Sequence, residues 1–474
     1  MHAPDTPWHW HERLALALYG GLMALARPLL RRKLARRAQA EPGYAHDLAA
    51  RFGHPPVGAQ PLAAPQPPHP SGDPCAHVGP TLWVHAVSLG ETRAAAVLLA
   101  ALRERQPTLR LLLTHSTATG WAEGQRLLRP GDTQTWLPWD DPWSVRRFLR
   151  HQQPRVGVLM ETEIWPTLIH QAHAAGVPLM LVNARLNERS TRGAQRLAWL
   201  SRPAYAALTV VGAQTEADAQ RLQQVGARAV QVWGNLKYDA RPHPDQQASA
   251  RRWRHTLQRP VVMLASSREG EEQDFLKEIC ALALDMKAQA AIKNAVFLVV
   301  PRHPQRFDAV ADLLQRGGAN VWRRAQWGEA LAAGRMPEDA GDGPTVWLGD
   351  SLGEMALYAT LADVALLGGS FQPLGGQNLI ELAACGCPVV VGPHTFNFAD
   401  ATEQALAAGA ARRVPDMAQG VQAALQWLAD APAHARATEA AHAWASSQQG
   451  AAGRTADAVL ALLGRGALSA PPAR

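Results

Sequence analysis

The 474-residue chain has only four cysteines, Cys75, Cys280, Cys385 and Cys387, which excludes a disulfide-built scaffold. Cys385 and Cys387 are one residue apart in an apolar stretch, a spacing unsuited to a C-x-x-C metal or redox pair, so they read as buried thiols in a reducing compartment. The histidines are scattered, and no metal is expected. There is no G-x-x-x-x-G-K-[ST] run, and no G-x-G-x-x-G follows the first strand-like segment, which argues against an ATPase or a dinucleotide oxidoreductase. Charged residues make up 18% and hydrophobic ones 47%, too apolar a balance for wholesale disorder. No long hydrophobic run stands out either. The uncharged stretch 14–26 would span roughly 20 Å as a helix, against roughly 30 Å for a hydrocarbon core.

The formal net charge is +7, a sign that suits nucleic acid, an anionic membrane or an anionic substrate. No basic run is interleaved with aromatics and no nucleic-acid-binding signature is present, so no nucleic-acid partner is expected. The apolar run 14–30 is followed by Arg31, Arg32, Lys33, Arg36 and Arg37. This layout predicts a membrane-associated helical segment over 1–54, spanning or lying in the interface, with the downstream chain on the cytoplasmic side of an anionic membrane. An ordinary packed first helix is the alternative. Residues 55–80 are Pro-rich and read as a linker or insertion.

Beyond residue 80, near-continuous Val/Leu runs alternate with Ala/Leu-rich helical stretches. Strands are predicted at 82–87, 109–114, 156–160, 179–182, 208–212 and 229–232. A second series follows at 261–265, 295–300, 345–348, 364–367 and 388–391. Such runs imply parallel strands covered on both faces. Two series mean two doubly wound α/β domains, 81–245 and 246–474, the latter ending in Ala-rich helices. Ligands in such folds gather at the carboxyl ends of strands, so the polar residues just after each strand are the candidates.

Glu91 follows the first strand in H-A-V-S-L-G-E; it is either a general base or a helix-start charge. Glu161 and Glu163 follow another strand in M-E-T-E-I-W-P, as a cleft pair or a capping pair. Lys237, in G-N-L-K-Y-D, ends the first series, as a site cation or a solvated charge. In the second series, A-S-S-R-E-G-E-E (265–272) is expected to offer backbone N–H groups to an anion. Arg302, in V-V-P-R-H-P, is a fork for phosphate or carboxylate. G-D-S-L-G-E-M (349–355) and the glycine-rich run 366–384, with Asn378 and Glu381, suit a nucleotide sugar.

Taken in order, the runs HAVSLGET, THSTATG, METEIWPTLI, NARLNERS, GNLKYD, ASSREGEE, VPRHPQRF, GDSLGEM, GGQNLIELAA and VGPHTFNF resemble the 3-deoxy-D-manno-octulosonic acid (Kdo) transferase family of lipopolysaccharide synthesis, over roughly residues 80–400. The resemblance implies a GT-B fold, two Rossmann-like domains facing across a cleft, preceded by an inner-membrane anchor. It implies transfer of Kdo from CMP-Kdo to a lipid A precursor, lipid IVA, with inversion and no cofactor. Glu91 would be the base, with Glu161 and Lys237 as transition-state stabilisers. Pro301 and Arg302, then Gly353, Glu354 and Met355, then Asn378, Leu379, Ile380 and Glu381 would bind CMP. Two departures stand out: Gln377 replaces the family's usual His, and Leu379-Ile380 replaces a Pro-containing pair. The rival readings are another GT-B enzyme using a UDP-sugar, separable by inhibition with CMP or UDP, and a catalytically silent nucleotide-binding scaffold at the membrane, which would tolerate loss of Glu91.

Overall fold

Strand-sized runs of Val, Leu and Met without polar alternation need cover on both faces. The computed structural model supplies it in two units, Met1–Asp239 with Gln449–Arg474, and Ala240–Gln448. It describes residues 8–55, 82–239, 242–285, 289–335 and 343–468. Apart from Pro55, the Pro-rich linker expected at 55–80 lies outside the described residues.

The first unit holds β1 (Leu82–His85), β2 (Leu111–His115), β3 (Thr133–Trp136), β4 (Val156–Met160), β5 (Leu179–Ala184), β6 (Val210–Ala213) and β7 (Val230–Val232). They pair in the order β3-β2-β1-β4-β5-β6-β7, all parallel. Side chains alternate between two apolar layers: Trp83, Leu112 and Leu159 enter one, while Leu82, Val84, Leu111, Leu113 and Val158 enter the other. The order reverses between β1 and β4, which opens a crevice at their carboxyl ends.

The second unit repeats the plan with β8 (Val261–Ser267), β9 (Val296–Pro301), β10 (Asn320–Arg323), β11 (Thr345–Leu348), β12 (Val364–Leu367), β13 (Val389–Val391) and β14 (Ala411–Arg413). The order is β10-β11-β9-β8-β12-β13-β14, and the reversal falls between β8 and β12. There Gly368 is needed by space alone, since a Cβ would stand 2.3 Å from the Ser266 carbonyl oxygen.

Two boundaries differ from the sequence expectation, which ended the first domain at 245 and put everything from 246 to the end in the second: the first unit's continuous stretch stops at Asp239, and the end of the chain returns to it. The helix Ala451–Leu468 packs in the first unit. Its small face, Ala451, Ala452 and Ala456 with Val459 and Leu463, covers the same apolar layer as Leu98 and Leu102. The Asp239 carboxylate accepts hydrogen bonds from the Gly450 and Ala452 N–H groups at its start, at 2.5 and 2.8 Å. An Ala-rich helix carries no signal for which sheet it covers, which is why composition misplaced it.

The first helix, Trp10–Leu25, is packed on this unit along one side. Ala15, Leu16 and Gly20 are buried, and a Cβ at Gly20 would sit 2.9 Å from the Pro142 ring. The opposite side exposes Trp10, Leu14, Leu18, Leu22 and Leu25. The second helix, Arg27–Ala40, turns away by 49°, and no single helix among the described residues is long and apolar enough to cross a membrane.

Beneath the first helix, Asp140 is buried at the start of the helix Pro166–Ala174. It accepts from the Thr167 and Leu168 N–H groups at 3.2 and 2.8 Å and from the Tyr19 hydroxyl. Burial outweighs these bonds and pushes its pKa up to about 7. A carboxyl whose folded pKa is raised favours folding while protonated, and that contribution is lost as pH climbs from the unfolded value, about 4, through about 7. Asp140→Asn should therefore gain stability relative to the parent between pH 5 and 8, read from urea midpoints across that range. A constant difference at every pH would contradict the assignment.

Candidate active site

Two strands flank the reversal in the first sheet, and each ends in a carboxylate. After β1, Ser88 caps the helix Leu89–Arg105, its Oγ accepting from the Glu91 N–H at 3.4 Å. Glu91 answers as in a capping box: its Oε2 accepts from the Val87 N–H at 2.8 Å and its Oε1 from the Ser88 hydroxyl at 3.1 Å. The helix-start reading of Glu91 is thus realised, but the same carboxylate is half-buried at the crevice. Burial, then Glu163 and Glu161, raise its pKa above the ordinary carboxylate range, against the Val87 hydrogen bond and His85. A carboxylate with a raised pKa is a better proton acceptor near neutrality.

After β4, Glu161 is 5% exposed and has a φ of +55°, a left-handed strain that a non-glycine residue adopts only when its surroundings enforce it. The Arg185 guanidinium holds it at 2.9 Å. Glu163 accepts from the Trp165 indole N–H at 2.7 Å and lies 3.6 Å from His85 Nε2. His85 is fully buried and anchored through Nδ1 to Thr114. That contact between His85, which ends β1, and Glu163, which follows β4, brings the two motifs together.

Lys237 is brought to the end of β5 by an amide network. The Asn183 side chain (φ +52°, 2% exposed) accepts from the Leu236 N–H at 3.0 Å. Gln214 donates to the Asn183 carbonyl at 2.9 Å and accepts from Asn235 at 3.0 Å, while Asn235 accepts from the Lys237 N–H at 3.0 Å. The Lys237 ammonium is half-exposed and has no carboxylate partner among the described residues. Asn183 opens the N-A-R-L-N-E-R-S run noted in the sequence, whereas Gln214 was not singled out; the signal available was that it directly follows the strand β6.

In the second unit the loop after β8 is tied to its neighbour by Glu271, which is fully buried, takes the loop's Arg268 N–H and reaches across to the loop after β12. Its carboxylate accepts from the Arg268 and Gly369 N–H groups, both at 2.8 Å, and from Phe371 at 3.2 Å. Glu272 is likewise consumed, by Ser267 and by Arg306 at 2.6 and 2.8 Å. The cations remain. Arg302 follows β9, is exposed, and has no acidic partner among the described residues. Burial, then Arg268, Arg302 and Arg306, depress the pKa of His303, which marks a positive field at these strand ends.

The other donor-side candidates divide by role. Pro301 is buried at the end of β9. Gly353 has φ +79° and turns the chain into the helix Met355–Leu361. The Glu354 carboxylate is fully engaged: burial would raise its pKa, but a two-pronged bond from Arg324, at 2.8 Å on both oxygens, and Ser351 hold it low. Asn378 caps the helix Leu379–Ala384, accepting from the Ile380 N–H at 3.1 Å. Leu379 and Ile380 are buried at 0% and 3%, so their side chains serve the core. Glu381 is exposed one turn on. Gln377 donates its backbone N–H to Gly368 at 3.0 Å. Among the described residues no group of three or more His, Cys, Asp or Glu is placed to hold a metal ion.

Residues 46–240 match the family model for 3-deoxy-D-manno-octulosonic-acid transferase (kdotransferase). A 3-deoxy-D-manno-octulosonic acid transferase of Bordetella pertussis is 47% identical over 426 residues, covering 88% of this chain and 91% of the relative. The chain belongs to the Kdo transferase family. As a Kdo transferase it is a glycosyltransferase with a place in lipopolysaccharide synthesis. The transferase is also similar to two solved structures. The UDP-GlcNAc 2-epimerase of Neisseria meningitidis covers 81% of this chain at 15% identity and a TM-score of 0.51, a likeness of fold in the GT-B manner. The C-terminal CMP-Kdo binding domain of WaaA from Acinetobacter baumannii is 30% identical, covering 43% of this chain and 98% of that one, with a TM-score of 0.36.

Proposed function

We propose that this Kdo transferase moves Kdo from CMP-Kdo onto a hydroxyl of a lipid A precursor, lipid IVA, at the cytoplasmic face of the inner membrane, with inversion and without a cofactor. The observation that carries this reading is Glu91, a carboxylate with a raised pKa at the strand reversal, beside Glu161 and Glu163.

The acceptor hydroxyl gives its proton to Glu91 as its oxygen bonds to the anomeric carbon of Kdo. The bond from that carbon to the phosphate oxygen breaks, and CMP leaves with the electron pair. Developing negative charge on the phosphate falls to Arg302 and Arg268, which are guanidinium forks suited to it. Pro301, Gly353, Met355 and the backbone at 378–380 shape the nucleotide pocket, and Glu381 accepts from ribose hydroxyls. Glu354 serves through its backbone, its side chain being committed to Arg324. Lys237 faces the Kdo carboxylate or the charge developing beside it, and Glu161 with Arg185 fixes the polarity of the crevice. The membrane reading is supported by the exposed stripe Trp10, Leu14, Leu18, Leu22 and Leu25, with Leu29 and the basic second helix following. A first helix already half-buried in the protein lies in the interface rather than spanning it.

Donor choice tests the proposal. Incubation with CMP-Kdo and a tetraacylated lipid A precursor should yield product heavier by one or more Kdo units, inhibited by CMP and indifferent to UDP. Inhibition by UDP alone would point to a UDP-sugar enzyme. The pH profile is a second test. The acid limb of kcat/KM should lie above the ordinary glutamate value, about 4.3. Glu163→Gln removes a negative neighbour of Glu91, so its limb should move to lower pH. An unmoved limb would separate Glu163 from the base.

A further inference from the structure

A groove of about 790 Å³ runs along the first unit between the first helix and the helices Pro142–Gln152 and Pro166–Ala174. Its floor is apolar, from Leu16, Ala17, Leu149, Ala174 and Ala175, and Arg13, Arg146, Arg150 and His170 stand around it. No acidic residue lines it among the described residues. Arg146 and Arg150 are exposed and have no carboxylate partner among the described residues. Two buried polar atoms at the lining, Thr167 Oγ1 and His170 Nδ1, have no hydrogen-bond partner among the described residues, and Thr167 is 2% exposed. Burial, then the charge of Arg13, depresses the pKa of His170, so the imidazole stays neutral and can donate or accept. Leu14 and Leu18 of the exposed stripe are the chain neighbours of the lining residues Arg13 and Ala17, and none of Glu91, Glu161 or Lys237 lines it.

We propose that this groove binds one anionic phospholipid of the bilayer, its phosphate on Arg13, Arg146 and Arg150 and one acyl chain along Leu16, Ala17 and Leu149. The inference rests on the in-plane membrane reading of the first helix and deepens it. Arg146 and Arg150, cations without acids among the described residues, select a negative headgroup. An apolar floor between them suits a chain rather than a free ion. A lipid seated there ties the first helix to the bilayer at a defined rotation, with the stripe facing the acyl layer.

The full-length protein should bind dihexanoyl phosphatidylglycerol, below its micelle concentration, saturably and at one per chain, with dihexanoyl phosphatidylcholine and inorganic phosphate much weaker. Arg146→Gln with Arg150→Gln should weaken that binding by about tenfold or more. Ala174→Trp fills the groove without changing charge and should weaken it as well, which separates a shaped site from diffuse attraction. Both variants should keep the parent's circular dichroism. Unsaturable binding, equal binding of the two lipids, or indifference to Ala174→Trp would overturn the proposal. So would displacement by the lipid A precursor, which would make the groove part of the acceptor's own site. Vesicle flotation tells the two readings apart: a parent protein that ignores vesicles of every composition sinks the membrane reading itself. Equal flotation of parent and double variant on phosphatidylglycerol vesicles leaves the membrane reading intact and sinks only the lipid site.

Discussion

Glu91→Gln is expected to lower kcat by about 100-fold or more while leaving inhibition by CMP unchanged, because general-base assistance is worth about 10²–10⁴-fold. Glutamine is the informative choice. Glu91 does two things at once: it closes the capping box with Val87 and Ser88, and it stands at the crevice with a raised pKa. Loss of a helix cap alone costs about 0.5–2 kcal/mol of stability. The amide oxygen of glutamine still accepts from Val87 and keeps most of that contribution, but it cannot take a proton at working pH. A variant with near-normal melting, normal CMP inhibition and little turnover isolates the proton transfer. Normal turnover would reduce Glu91 to its capping duty and remove the base from the mechanism.

Lys237→Met is expected to lower kcat by about 10²–10³-fold, the usual effect of removing one preorganised group aimed at developing charge. The fold should survive, because the turn carrying Lys237 is held by backbone groups and neighbours, not by the ammonium. Asn183 takes the Leu236 N–H, Asn235 takes the Lys237 N–H, and Asp239 caps the last helix. Lys237→Arg should recover only part of the rate, since a planar fork does not replace a compact charge. Steady-state kinetics with CMP-Kdo and a lipid A precursor decides it; a rise in KM alone would show that Lys237 binds substrate without favouring the transition state.

Much of this site was legible because central parallel strands are buried on both faces and read as unbroken apolar runs, so the polar residue ending each run announces itself. Glu161 and Arg302 were singled out that way, whereas Glu91 stands six residues past β1 and Lys237 five past the edge strand β7. Edge strands are covered less completely and hid: β3 (TQTW), β10 (NVWR) and β14 (ARR) carry polar residues and gave no run to notice. The loop after β8 carries a contact that the sequence did not announce. Small residues ahead of a helix look like an anion cradle, but whether Glu271 points outward or folds back onto Gly369 and Phe371 is set by the neighbouring strand's loop. Linear spacing is silent about that. The part Asn183 plays was not legible because its left-handed backbone and its bond to Leu236, far along the chain, exist only once β5 and the Lys237 turn meet.

The return of the last helix to the first unit bears on how the protein is made. Just over half the chain, through Asp239, emerges from the ribosome with its sheet lacking the cover that Ala451, Ala456 and Val459 provide. The nascent chain must carry that open apolar face until synthesis ends, a period in which aggregation competes with completion. Cutting the gene at a natural-looking boundary near residue 240 would freeze the molecule at that vulnerable stage.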